Sequence, residues 1–300
     1  MLDFVNTNTF RDFAEYVIMP NSGRPFVSNI LKQNAIIYCK TDHIQYLFAN
    51  LAFSNRKYVL ITHASDYPID AAKFNSRPPC IKKWYAENAT HSHPDLITIP
   101  VGLTPHKDVD KTGIDLDWFV DNIERLHANP KDTKILYCRW STQNNPPRRS
   151  NVLQKLRNNN LECLWDYPNF PSNIDALLQE QLKLVREEGA TYRKFNELIT
   201  WYDYCEKVSK YQFIVSPPGN GEDTHRVWDS LYMGCYPIVI KSNVFRDYEN
   251  DLPIIQVKDY SEVTYDLLYS YLNREYDMRK LTMSYWRQRI LNDLNELKIT

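Results

Sequence analysis

The sequence predicts an α/β protein of two similar-sized domains, each a parallel sheet covered by helices. Three observations predict it. Short β-rich apolar runs alternate with helical patterns at the spacing of parallel strands joined by crossover helices. The alternation breaks at Pro130-Lys131-Asp132 and then begins again. A chain of 300 residues is an ordinary length for two domains.

In the first half, NAIIYCK (34–40), KYVLITH (57–63) and LITIPVGL (96–103) read as strands. HIQYLFANLAFS (43–54), CIKKWYAENA (80–89) and IDLDWFVDNIERLHAN (114–129) read as helices. After the break, KILYCRW (134–140) is a strand, a Pro-rich loop leads into the helix RRSNVLQKLRNN (148–159), and LECLWDY (161–167) is a strand. A mostly helical region is expected over 172–210. YQFIV (211–215) and YPIVI (236–240) are strands flanking a helix over 224–233, and PIIQV (253–257) is a last short strand. Helices over 261–273 and 276–297 complete the pattern. The expected division is 1–130, 131–275, and a terminal helix over 276–300 able to pack back on the first domain. In open parallel sheets ligands bind beyond the carboxyl ends of the strands, so the expected site is the cleft between the domains.

Composition narrows the function. With 43% hydrophobic and 24% charged residues the chain is globular. A net charge of −1 excludes a broad basic surface for nucleic acid. The six cysteines have no metal-site spacing, and Cys39, Cys138 and Cys235 fall at or beside apolar runs, which suits buried thiols in a reducing compartment. There is no secretory leader pattern and no apolar window of membrane-spanning length, so a soluble, cytoplasmic protein is expected. The 21 tyrosines and seven tryptophans include possible sugar platforms, though most such rings serve packing.

The segment YQFIVSPPGNGEDTHRVWDSLYMGCYPIVI (211–240) concentrates the chemistry. A strand opens through Ser216, Pro217, Gly219, Asn220 and Gly221 into a helix that begins with Thr224, His225 and Arg226. A helix start offers unpaired N–H donors and partial positive charge to a phosphate. Gly219 and Gly221 let the backbone approach a ligand. Arg226 can fork two bonds to phosphate oxygens, and Asp229, one turn on, can accept from a ribose diol. The same residues also suit a surface Arg226–Asp229 pair beyond an ordinary turn. The patterns of simple NTPases and kinases are absent.

This segment resembles the C-terminal signature of exostosin-type glycosyltransferases. Pro217, Gly219, Arg226, Asp229, Gly234, Cys235 and Pro237 occupy that pattern's places. The resemblance implies a GT-B fold, two Rossmann-like domains facing across a cleft, and inverting transfer from a nucleoside-diphosphate sugar to a glycan hydroxyl. UDP-xylose and UDP-glucuronate are example donors. Compact soluble members in bacteria and large DNA viruses suit this chain, which in the viral case would work in host cytoplasm. Arg226 would hold the diphosphate, Asp229 the ribose, and residues 219–223 the donor sugar and phosphates, with Thr224 and His225 alongside. The runner-up is a non-catalytic glycan- or nucleotide-binding protein of the same fold.

Five residues complete the expected site. Arg149 could add positive charge for the leaving diphosphate. Asp66 is the first candidate for the general base and His63 the second, both just past a strand end. Glu222 and Asp223 are further candidates, or favourable charges at the helix start. No metal is expected: the DxD triplets at 108–110 and 115–117 sit in a polar linker and a helix start, and Arg226 can take a cation's place. Trp84 and Tyr85 could stack on an acceptor sugar, but Trp84 suits a core position as well.

Overall fold

The computed structural model describes residues 3–18, 31–103, 116–142, 144–166 and 201–299. In chain order the first part holds α1 (Thr7–Phe13), β1 (Tyr16–Ile18), β2 (Ala35–Lys40), α2 (Ile44–Leu51), β3 (Tyr58–His63), α3 (Ala71–Asn75), β4 (Ile81–Ala86) and β5 (Leu96–Thr98). Then follow α4 (Leu116–Ala128), β6 (Asp132–Cys138), α5 (Pro146–Arg149), α6 (Val152–Asn158) and β7 (Glu162–Trp165). The rest comprises α7 (Trp201–Val208), β8 (Tyr211–Val215), α8 (His225–Tyr232), β9 (Tyr236–Ile240), β10 (Ile255–Val257), α9 (Tyr265–Leu272) and α10 (Met283–Ile299). Asp108, Asp110 and Asp115 of the DxD triplets, and most of the helical region expected over 172–210, lie outside the described residues.

Two five-stranded sheets form, ordered β1-β2-β3-β4-β5 and β10-β9-β8-β6-β7, with every pairing parallel. The α/β class and paired parallel sheets are as the sequence predicts. In the second sheet β7 lies on one side of β6, and the chain then crosses to place β8, β9 and β10 on the other. The order reverses between β6 and β8, and a parallel sheet opens a binding crevice at such a reversal.

One element corrects the sequence reading. Residues 81–86 are strand β4, not part of a helix. Ile81 and Trp84 have helical spacing, but Trp84, Tyr85 and Ala86 are all buried. A strand covered on both faces reads as a continuous apolar run, without alternation. Trp84 packs edge-on to Phe48 at 5.6 Å and stacks on Phe74 at 6.0 Å, inside the core under α2 and α3. Tyr85 belongs to the core on the opposite face. Neither ring is open to a sugar. Helix α1 and strand β1 were not anticipated; α1 starts on a capping box in which Asn6 accepts from Thr9 N–H and Thr9 Oγ1 lies 3.0 Å from Asn6 N.

The first sheet's second face is covered by the far end of the chain. Trp286, Ile290 and Leu294 of α10 share a core with Ile36, Tyr38, Val59, Ile61 and Tyr85, joined by Val227, Trp228 and Leu231 of α8. Tyr85 Oη donates to Asp293 Oδ2 at 2.5 Å. This packing seats the start of α8 against the first sheet. Among the described residues no helix is long and apolar enough to cross a membrane.

Candidate active site

The loop after β8 is built from below by Arg149. Asn145, with φ at +70°, precedes α5, whose prolines occupy its first positions. The buried Arg149 guanidinium donates from Nε to Pro218 O (2.8 Å), from Nη2 to Pro217 O (3.2 Å) and from Nη1 to Ser141 O (3.0 Å). Burial, then the charge of nearby Arg226, push its pKa down to about 10. No carboxylate pairs with it among the described residues. Ser216 is tied into the sheet, its N–H donating to Ile238 O at 2.9 Å and its Oγ lying 3.4 Å from Ile214 O.

Gly219 and Gly221 line the interdomain cavity and also make room for protein neighbours. A Cβ on Gly219 would sit 3.2 Å from Arg149 Nη2, and one on Gly221 2.9 Å from Asn88 Nδ2. Asn88, with φ at +50°, accepts from Asp223 N–H at 3.0 Å and donates to Ser65 O at 3.2 Å. The loop is thereby fastened to the first domain.

At the head of α8, bonding capacity is left over. Thr224 is the N-cap but makes no side-chain capping bond. Thr224 Oγ1, Arg226 Nε and Asp229 Oδ1 are buried without a partner. Native proteins pair nearly all such groups, so each needs an explanation. Burial pushes the Asp229 carboxyl well above its ordinary range, with the charge of Arg226 opposing. Arg226 and Arg149 lie close enough to repel and have no ion-pair partner among the described residues.

A 410 Å³ cavity opens between the two domains. From the first domain it is lined by Thr7, His63, Ala64, Ser65, Asp66, Glu87, Asn88 and Val101; from the second by Asn144, Gly219, Asn220, Gly221, Asp223, Thr224 and His225. Arg149, Ser216, Pro217, Arg226 and Asp229 do not line it.

The predicted acid–base residues divide by their partners. Asp66 is exposed on the cavity and has no ion pair among the described residues. His63 is fully buried, with Nε2 3.1 Å from Pro100 O and Nδ1 2.8 Å from Glu87 Oε2. Ala64 N–H also lies 2.8 Å from Nδ1, and Ala64 has φ at +65°. Glu87 is buried and Oε2 has no other donor, which favours the imidazolium. Burial opposes that charge, but the charge and hydrogen bond of Glu87 outweigh it and hold the His63 pKa above its ordinary value. Both ring nitrogens are therefore committed.

Asp223 accepts from Val101 N–H at 2.8 Å and from Trp228 Nε1–H at 2.8 and 2.9 Å, and bridges the domains. Burial raises its pKa to about 7. Glu222 pairs with Arg148 at 2.8 Å, off the cavity. His225 Nδ1 lies 2.7 Å from Gly102 O, where it donates, so the other ring nitrogen is the acceptor. Burial lowers the pKa of His225 and keeps it neutral.

Sequence reasoning missed Glu87 and Asn88. They follow β4, and reading 81–86 as a strand would have put them at a strand's carboxyl end. Among the described residues no cluster of His, Cys, Asp and Glu could hold a metal ion.

No protein-family model and no curated protein sequence matches the chain. Among solved structures it is similar to Anabaena Alr3699/HepE in complex with UDP-glucose, with TM-score 0.45 and 10% identity over 87% of this chain and 78% of that one. It is also similar to a UDP-forming α,α-trehalose-phosphate synthase from Burkholderia vietnamiensis, with TM-score 0.43 and 11% identity over 90% and 74%. A glycosyltransferase from Rickettsia africae gives TM-score 0.39 and 15% identity over 93% and 81%. At TM-scores below 0.5 these likenesses carry none of the functional argument, which rests on the chain's own residues.

Proposed function

We propose that the protein is an exostosin-type, GT-B glycosyltransferase that moves a sugar from a UDP-linked donor to a glycan hydroxyl with inversion. The observation that carries this reading is the unpartnered pair at the head of α8. Arg226 Nε and Asp229 Oδ1 are buried with no bond, beside a second guanidinium, where the second sheet's strand order reverses. Two cations that repel in a dehydrated setting call for an anion, and a diphosphate supplies one. Asp229 is one turn along α8 from Arg226, in place for the ribose hydroxyls.

In this reading the sugar projects past Gly219–Gly221 into the interdomain cavity. The acceptor oxygen attacks the anomeric carbon, the bond to the diphosphate breaks, and UDP leaves with the electron pair. Arg226 and Arg149 offset the charge it gains, the work a metal does elsewhere. Asp66 takes the acceptor's proton, being, among the described cavity carboxylates, the exposed one that is neither ion-paired like Glu87 nor bound by N–H donors like Asp223. His63 and Asp223 hold the walls in place.

The test is thermal unfolding with UDP. At a hundred times its Kd, UDP stabilises the fold by about 2.7 kcal/mol. Arg226→Ala abolishes that protection and EDTA leaves it intact. Protection by GDP or ADP but not UDP would reject the assigned base. Full protection of Arg226→Ala would reject the site.

A further inference from the structure

The cavity and the arginine pair differ in charge. Among the described residues the titratable side chains lining the cavity are His63, Asp66, Glu87, Asp223 and His225, with no lysine or arginine. Glu87 is balanced by His63 at 2.8 Å. Asp223 is saturated by N–H donors, and His225 is committed to Gly102 O. Asp66 remains, exposed and without an ion pair among the described residues. The arginines of the adjoining loop do not line the cavity: Arg148 is paired with Glu222 at 2.8 Å, and Arg149 lies beneath Gly219, on the diphosphate side. The remaining polar lining among the described residues is neutral hydroxyl and amide, from Thr7, Ser65, Asn88, Asn144, Asn220 and Thr224.

We propose that this cavity selects an uncharged sugar and rejects a uronic acid, with Asp66 as the discriminating residue. The inference rests on the nucleotide-sugar reading above and chooses among its donors: UDP-glucose and UDP-xylose fit, and UDP-glucuronate does not. A sugar carboxylate entering here would lose water without gaining a cation from the described lining, a costly way to bury a charge. It would also meet Asp66, and like charges across a binding surface are a standard means of rejecting a wrong partner. Sugar hydroxyls have the neutral donors and acceptors they need, including the buried and unpartnered Thr224 Oγ1.

Half-maximal concentrations for thermal protection test this, with UDP, UDP-glucose, UDP-xylose and UDP-glucuronate as probes on the intact chain. UDP-glucuronate should require at least tenfold more ligand than UDP-glucose. Asp66→Asn should narrow that gap at least threefold and leave the response to UDP unchanged. UDP-glucuronate protecting as well as UDP-glucose overturns the inference alone, as does a gap untouched by Asp66→Asn. Failure of UDP itself to protect overturns the nucleotide reading and the inference with it.

Discussion

Replacing Asp223 with asparagine should flatten the pH dependence of stability. The Asp223 carboxyl titrates at about 7 in the folded protein against an ordinary 3.8, chiefly because it is buried. The folded state therefore holds this proton more tightly than the unfolded chain. Its stabilisation is full below pH 3.8 and is lost as pH rises through 7. Integrated from about pH 5 to about pH 8, the loss is about 2 to 3 kcal/mol. His63 and His225 also titrate, with opposite signs: the raised His63 loses stabilisation as pH rises and the lowered His225 loses it as pH falls. Both remain in the variant, so the difference between the two proteins reports position 223 together with the part of the His63 shift that the Asp223 charge supplies. Asparagine keeps one oxygen to accept from Val101 or Trp228. Urea unfolding of wild type and Asp223→Asn at both pH values measures the difference. Curves that stay parallel within about 0.5 kcal/mol would refute the assignment of the shift to this group, and a wild type that gains stability over Asp223→Asn as pH rises would reverse its sign.

Gly221→Ala should destabilise by about 1–3 kcal/mol, because its Cβ meets an Asn88 amide that is bonded on both sides. In an Asn88→Gly background most of that cost should vanish, read from a urea double-mutant cycle. Trp286→Ala should cost about 3–5 kcal/mol, since the ring is fully buried between α10 and the first sheet. Asp66→Asn should slow UDP release in the presence of acceptor by about 10²–10⁴-fold while UDP still protects against heat. Undiminished turnover would take the base role away from Asp66.

Apart from β1 and β4, the strands of both sheets and the strand–loop–helix unit at 211–240 were legible because they are local. Apolar runs, a proline–glycine break and Arg226 three residues before Asp229 all fall within one window. Strand β4 was not legible, since burial on two faces erases the alternation that marks a strand. The glycines were recognised, but one of their neighbours was not: Gly221 also makes way for Asn88, which lies far back in the chain. Asp223 offered the same difficulty. Its place beside Glu222 suggested two acids at a helix start, whereas one ties the domains together and the other pairs with Arg148. No periodicity carries those long-range partners. The unpartnered atoms of Arg226 and Asp229 are equally invisible in a sequence, because a missing bond is a property of packing.

The seating of α10 on the first sheet has a consequence for how the molecule is born. The sheet's last strand residues lie before position 100, but Trp286, Ile290 and Leu294, which complete its second face, are synthesised far later. At ribosomal speeds of about 5–20 residues per second, that face waits for about 10–40 s while the second domain is made. During that interval the nascent first domain presents an oily, half-clothed surface, so the part made first matures last.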